Sequence, residues 1–336
     1  MMAVDSRQHD RGVHLDRPGP TPREDTVVNG STKQPSVQTM AGHAPTVPVS
    51  AAQAVARARD NKLTNLVATL QKTQPSPSKC VWHLGTVIGV SQTDRAALAW
   101  IIADAVMAHR GGGSKASGLW RDAALAGKKL AGTDREIVAA FIEGVFGLPP
   151  DGKSEHHLVG HVAEWLWYLH ALETVHPTRS IALLDPPKFN VTEPGADGFI
   201  VFSDTATGET SFRLWEIKQH VGASAISSTV GDAYDQLTIH ATRYLAQLTS
   251  IHSAQAGLVG QLCKQLVDFW VDCNDRAGVG VGVASATTPA PSRCFSTMGK
   301  RFAGFTQAGQ LEGLLLAIED LAGLARDVRG YLWTVL

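Results

Sequence analysis

Glu216 and Lys218 are the two residues whose types and spacing best suit chemistry in this chain. They stand at the end of an apolar segment, Leu-Trp-Glu-Ile-Lys, that is typical of a strand. Side chains alternate along a strand, so two residues that are two apart point to the same face. Burying such charges is costly unless they are paired or bind a metal. The pair is therefore either a structural ion pair in a binding or regulatory module, or part of a metal site.

Asp197 favours the metal site. It begins a second apolar segment, which a short turn connects to the strand of Glu216. If the two strands are neighbours, their carboxylates repel each other and one is driven to protonate, unless a divalent cation binds between them. Mg²⁺ takes about six oxygen ligands, and the carbonyl of Ile217 could be another. Lys218 would then orient a bound water or offset charge on a phosphate.

Glu164 could supply a third carboxylate. It lies in the middle of an apolar helix predicted over residues 154–173, which directly precedes the strands that carry the other two acids. A glutamate in such a place is commonly a boundary residue, but its position before those strands favours a role at the same site.

The motifs follow one another in a fixed order: a glutamate on a helix, G-x-D at a strand, E-x-K on the next strand, and a further helix. This order resembles the PD-(D/E)XK, or restriction-endonuclease-like, nuclease superfamily. The resemblance covers roughly residues 154–290 and implies an α-β-β-β-α-β core. It implies that Glu164, Asp197 and Glu216 bind Mg²⁺, for which Mn²⁺ can substitute. It also implies that Lys218 positions the water that hydrolyses a phosphodiester bond of DNA, with RNA as the alternative.

The helix after E-x-K contains Gln236, which by this resemblance touches the active site or the scissile phosphate. Two positions depart from the family pattern. The proline that names the motif stands three residues before the aspartate, at Pro194, and His240 stands where the exonuclease branch has the tyrosine of Q-x-x-x-Y.

The acidic helix, Gly195-x-Asp197 and Trp215-Glu216-x-Lys218 are also similar to the nuclease subunit of Hachiman-type antiphage defence. That narrower resemblance implies a helicase or another defence-system subunit as a partner. Restriction is the other biological role that the superfamily offers.

The elements that must position these residues follow from periodicity and turn residues. Residues 1–50 have the composition of a disordered tail, 51–150 of a helical subdomain, and 151–336 of the nuclease-like domain, an α/β sandwich around a mixed sheet. Helices are predicted over 51–71, 96–109, 133–146, 154–173, 226–249, 253–274 and 309–326. Strands are predicted over 181–191, 198–204, 210–218, 277–287 and 329–335.

Two rival motifs are present. Gly147–Ser154 matches the P-loop pattern G-x-x-x-x-G-K-[ST], and Lys153 would contact phosphate in an NTPase. A helix is predicted before this loop where a P-loop requires a strand, and two prolines remove potential N–H donors. His157 and His161 are one helical turn apart and could bind zinc, although ordinary surface or core histidines are the simpler interpretation.

The composition narrows the class of protein to which the chain can belong. The 336 residues carry 30 Lys and Arg against 31 Asp and Glu, so no strongly basic arm exists, although a local basic patch is compatible with this balance. The four cysteines form no C-x-x-C pair, and no apolar run is long enough to span a bilayer. The sequence thus predicts a cytoplasmic protein with reduced thiols and no membrane partner.

Overall fold

Seven strands form one mixed sheet in the part of the chain that the computed structural model describes, residues 44–73, 79–189, 195–222, 225–286 and 293–336. The strands are β1 (Ala68–Thr73), β2 (Val81–Val87), β3 (Arg179–Leu184), β4 (Gly198–Asp204), β5 (Thr210–His220), β6 (Val279–Ser285) and β7 (Leu311–Ile318). They lie in the order β1-β2-β7-β6-β5-β4-β3. The four central strands β2, β7, β6 and β5 are parallel, and the outer pairings are antiparallel. The predicted α/β class with a mixed sheet is confirmed.

Helices cover both faces of the sheet. They are α1 (Val49–Ala58), α2 (Gln92–Gly111), α3 (Lys115–Ala126), α4 (Gly132–Phe146), α5 (Glu155–Glu173), α6 (Ile226–His252), α7 (Gly257–Cys263), α8 (Leu266–Val271), α9 (Met298–Arg301) and α10 (Leu321–Trp333). One core layer packs α1 to α5 and α10 against one face, and the other packs α6, α7, α8 and α9 against the opposite face. None of the described helices combines the length and apolar character needed to span a bilayer.

The elements that carry the predicted site closely match their predicted bounds. Helix α5 begins after Ser154, whose hydroxyl accepts a hydrogen bond from the His157 amide, as expected of an N-cap. Strand β4 has its predicted bounds, and β5 extends two residues further, to His220. Strand β6 alternates glycine with valine, and Gly280 is required because the indole of Trp215 on β5 occupies the space that a Cβ would need.

The prediction of helices alone between residues 51 and 150 is wrong for two segments, which form β1 and β2. Helix α1 ends at Ala58 because Asp60 and Asn61 adopt left-handed backbone conformations. The carboxylate of Glu173 then accepts hydrogen bonds from the amides of Leu63 and Thr64, at 3.1 and 2.8 Å, and holds the chain in a short 3₁₀ turn. Contacts this distant in sequence are invisible to a local pattern.

The C-terminal predictions are also wrong. Residues 311–318, predicted as part of a helix, form β7, and residues 329–333, predicted as a strand, lie in α10. Both elements are buried nearly all round, so neither has the polar face that would reveal its period. Asp320 separates them, because its side chain accepts a hydrogen bond from the Gly323 amide and begins α10.

Smaller differences concern helix ends. The helix predicted over 253–274 is two short helices, α7 and α8. The N-cap of α4 is Ala131, without a side-chain hydrogen bond, so no capping box forms around Thr133. Residues 1–43 of the predicted disordered tail, and Pro194, lie outside the described part of the chain.

Candidate functional site

Strand pairing brings Asp197 to the carboxyl-terminal half of β5. Strands β4 and β5 are antiparallel with Gly198 opposite Trp215, so Asp197 stands opposite Glu216 on the same face. The amide of Ile217 donates a hydrogen bond of 2.9 Å to Oδ2 of Asp197. The sequence-predicted pair of acids is therefore brought together by the register of the two strands.

Glu216 and Lys218 project from the same face of β5, and Lys218 Nζ lies 2.6 Å from Oε1 of Glu216. The Glu216 side chain is 2 % exposed, whereas that of Lys218 is 29 % exposed. Burial, followed by the charge of Asp197, raises the pKa of Glu216 to about 8 against the opposing effect of Lys218. Burial lowers the pKa of Lys218, but the charge and hydrogen bond of Glu216 outweigh it, so the net shift is upward.

The second carboxylate oxygen of Glu216, Oε2, is buried and has no hydrogen-bond donor within the described residues. Burial and the charge of Glu164 raise the pKa of Asp197 to about 6, although the Ile217 amide, Lys218 and Lys188 oppose the shift. An acid pair with raised pKa values and an unpartnered oxygen has an excess of negative charge that protons or a cation must balance. The arrangement suits cation binding better than a closed ion pair does.

Glu164 on α5 lies near enough for its charge to act on Asp197 and Glu216. Burial raises its pKa to about 8; Lys188 opposes this shift and Glu216 adds to it. The third predicted acid thus belongs to the same electrostatic cluster, although it comes from a helix on the other side of the sheet.

His161 orients Glu164. Its Nε2 atom accepts hydrogen bonds from Trp165 Nε1 at 2.8 Å and from an Nη atom of Arg110 at 3.0 Å. With Nε2 an acceptor, the ring proton is on Nδ1, which donates to Oε2 of Glu164 at 3.1 Å. Burial and Arg110 lower the pKa of His161 well below its usual value, so the ring is neutral. The sequence offered this histidine as a zinc ligand or, more simply, as an ordinary surface or core histidine, and did not predict its contact with Glu164.

Gln236 reaches the site through a neighbour. Its Nε2 atom donates to Tyr244 Oη at 3.0 Å, two turns further along α6. Tyr244 is 3 % exposed and lies close enough to Lys218 to contribute to the upward shift of its pKa. Gln236 is therefore attached to the site by the tyrosine, and the i, i+8 spacing of the two residues was the available signal.

Lys188 is a charged residue at the candidate site that the sequence did not indicate. Its charge acts on both Glu164 and Asp197, and its Nζ lies 6.0 Å from the centre of the Tyr244 ring. Arg110 donates to the backbone carbonyls of Lys188 and Phe189, each at 3.1 Å, and so holds this segment. The strand predicted over 181–191 would have contained Lys188, whereas β3 ends at Leu184, so the lysine follows the strand at the same end of the sheet as the start of β4.

The donor atoms fit a hard cation in type. Asp197 and Glu216, together with the Ile217 carbonyl and Glu164, offer oxygen ligands only, as Mg²⁺ prefers. Across the described residues, no group of three or more His, Cys, Asp or Glu side chains stands in the arrangement of a finished metal site. Lys218 Nζ instead lies against Oε1 of Glu216, where it offsets part of the negative charge. Binding a cation would require this ammonium to move away from that oxygen.

The P-loop pattern lies in a different setting. Helix α4 precedes Gly147, where a phosphate loop requires a strand, and Gly147 pairs with Gly152 in an isolated β-bridge. The carbonyl of Gly147 accepts a hydrogen bond from Trp333 Nε1 at 3.1 Å, and that of Lys153 accepts one from Arg329 at 3.4 Å. The loop is thereby packed against α10, and its main chain forms no phosphate cradle of the P-loop type.

Other candidate residues have structural roles. His157 is exposed on α5 while His161 is buried, so the two histidines do not form a zinc pair. Trp165, Trp167 and Trp215 are buried in the core. The four cysteines are free thiols, three of them buried.

Comparison of the chain with protein-family models and with curated protein sequences finds no match in either.

Proposed function

We propose that the chain is a metal-dependent nuclease of restriction-endonuclease-like fold that hydrolyses phosphodiester bonds, with DNA as its substrate. The observation that carries this proposal is the convergence of Asp197, Glu216 and Lys218 at one end of β5, where the buried Oε2 atom of Glu216 has no hydrogen-bond donor among the described residues. The connection order α5-β3-β4-β5-α6-β6, with the two short helices α7 and α8 inserted before β6, supports it, because β3, β4 and β5 pair antiparallel and β6 adds parallel to β5. This order is that of the PD-(D/E)XK superfamily, which the motif residues resemble.

Each residue has a role in the proposal. Asp197, Glu216 and the Ile217 carbonyl would hold Mg²⁺ or Mn²⁺, with Glu164 completing the acidic side. When bound, such a cation supplies Lewis acidity and charge neutralisation at a phosphate. Lysine is an ammonium at neutral pH, so Lys218 would orient the attacking water and donate to the oxygen on which charge develops. Gln236 positions this ammonium through Tyr244.

A structural ion pair is the second candidate function, because Lys218 and Glu216 already form a bond of 2.6 Å. A structural glutamate elsewhere in the chain shows the difference. Glu312 is held by Arg179 at 2.8 Å and Arg213 at 3.3 Å, and these charges outweigh burial and lower its pKa. The pKa of Glu216 is raised. The positive charges around Glu216 therefore do not offset the cost of burying its carboxylate, as they do for Glu312. This difference favours the metal site over a purely structural pair.

Plasmid and linear DNA, incubated with the protein in Mg²⁺ or Mn²⁺, test the proposal. The wild type is expected to nick or degrade DNA, and Glu216→Gln and Lys218→Ala to be slower by about a hundredfold or more. Lys264→Ala, at an exposed lysine that follows α7, is the matched control and should equal the wild type. A wild type that never cleaves DNA, alone or with a helicase encoded beside it, or variants that match it, would rule out the nuclease.

Metal binding separates the two candidates without relying on cleavage. Titration with Mn²⁺ should detect a site in the wild type that Asp197→Asn weakens, since that change removes a charged ligand. A structural ion pair predicts no such binding. Antiphage defence, with a helicase or another subunit as partner, and restriction are the biological roles in which a cytoplasmic enzyme of this kind would act.

A further inference from the structure

A cleft of about 520 Å³ opens beside Asp197, between α6 and the segment that follows β3. Asp197 and Lys188 both line it, so it is continuous with the candidate active site. Its size lies in the range of sites that hold a small molecule or one nucleotide, roughly 300–1,000 Å³. A double helix, whose major groove alone is about 12 Å wide, is too large to enter it.

The walls of the cleft suit a flat, apolar group. Leu248 and Ile251, on neighbouring turns of α6, contribute aliphatic surface, and Ile251 is 67 % exposed. Tyr244 also lines the cleft, but it is only 3 % exposed. Lys188 stands at the boundary with the active site, with its Nζ 6.0 Å from the centre of the tyrosine ring. A positive charge beside an apolar surface matches a phosphate followed by a base.

A polar pair also lines the cleft. His252 Nε2 lies 2.8 Å from Oδ2 of Asp185, and Gln255 Nε2 lies 2.9 Å from His252 Nδ1. Because the Gln255 amide donates to Nδ1, the ring proton is on Nε2 and is donated to Asp185. His252 also stacks on Phe199, with ring centres 6.0 Å apart, so the pair is held in place. The Asp185 carboxylate keeps acceptor capacity toward the cleft, which suits the N–H groups of a base edge.

We propose that this cleft receives one unpaired nucleotide of the strand that is cleaved, next to the scissile phosphate. The base lies against Leu248 and Ile251, and Lys188 contacts the adjoining phosphate. This inference rests on the proposed function and narrows its substrate to single strands, frayed ends or duplexes with an unpaired nucleotide. A fully paired duplex with closed ends has to lose a base pair first, so it should be cleaved more slowly.

Binding is tested without catalysis, in EDTA, with single-stranded oligodeoxynucleotides that carry 2-aminopurine at successive positions. A base that enters the cleft changes the fluorescence at one position. Ile251→Glu should weaken this binding by about tenfold, because it replaces apolar surface that the base covers with a charged group. Ile239→Glu is the matched control, because Ile239 is also on α6, is also 67 % exposed and does not line the cleft. Both positions are exposed, so both variants should fold, which circular dichroism checks.

Nucleotide binding in the cleft is supported if Ile251→Glu reduces the fluorescence change and Ile239→Glu does not. This result would count even if no DNA is ever cleaved. No position-specific change, or equal loss in both variants, overturns it. With Mg²⁺ present, single strands should be cleaved at least about tenfold faster than a covalently closed duplex. Equal rates would rule out nucleotide binding in the cleft but would not contradict the proposed nuclease activity.

Discussion

The amide of Ile217 donates a 2.9 Å hydrogen bond to the carboxylate of Asp197, and this bond joins the start of β4 to the carboxyl-terminal half of β5. It holds one carboxylate oxygen in place, while the carbonyl of Ile217 remains a predicted metal ligand. The pKa of Asp197 is raised mainly by burial and by the charge of Glu164. Two residues twenty positions apart in sequence thus define the geometry of the acidic cluster.

The first prediction concerns stability and pH. The folded chain raises the pKa of Glu216 from 4.5 to about 8, so the proton is bound more tightly in the folded state. The stability that this proton contributes is fully present below pH 4.5 and is lost as the pH rises through 8. In EDTA, the free energy of unfolding should therefore fall across this range, as measured by urea denaturation.

Glu216→Gln isolates this effect, because the glutamine side chain does not titrate in this pH range. The variant should show a weaker fall than the wild type, and Mn²⁺ should restore stability to the wild type at pH 8 by replacing the proton with a cation. Identical pH profiles for the two proteins, or no stabilisation by Mn²⁺, would contradict the prediction.

The second prediction concerns His161, which donates to Glu164 and accepts from Trp165 and Arg110. His161→Asn should weaken Mn²⁺ binding by about tenfold to a hundredfold, because partners that orient a ligand have effects of this size. Isothermal titration calorimetry measures the affinity. His157→Asn is the matched control, since this histidine is exposed one turn earlier on the same helix. If both variants bind Mn²⁺ like the wild type, His161 does not orient a metal ligand.

The third prediction concerns the hydrogen bond between Gln236 and Tyr244. If Gln236 acts on Lys218 only through the tyrosine, Gln236→Leu and Tyr244→Phe remove the same interaction. Each should slow DNA cleavage, and the double variant should be no slower than the worse single variant, with a coupling energy of about 0.5–3 kcal/mol. Additive losses in single-turnover rates would show that Gln236 has a separate contact with substrate.

The fourth prediction concerns the P-loop pattern. The main chain of Lys153 is held against α10 by Arg329, and the loop follows a helix. Lys153→Ala should therefore leave DNA cleavage unchanged, and fluorescent ATP analogues should not bind the wild type. Saturable nucleotide binding that Lys153→Ala abolishes would establish the NTPase in place of this interpretation.

Local pattern was enough for the elements around the site. Strand β4 and helix α5 have clear beginnings, a glycine turn and a serine N-cap, and their neighbours in sequence are their neighbours in space. It failed for β1, β2, β7 and α10. Strand β7 is buried between two other strands, so its leucines carry no period that distinguishes it from a helix.

The sequence by itself determined that Glu216 and Lys218 share one face, because alternation along a strand depends only on spacing. It also indicated Asp197 and Glu164 as their partners. Only the tertiary structure decided the surroundings of these charges: the approach of Lys188, the anchoring of Glu164 by His161, and the cleft lined by Asp185 and His252. Asp185 and His252 are 67 residues apart, and such contacts arise from the packing of whole elements. Packing also determines burial, and burial is the main cause that raises the pKa values of the acids.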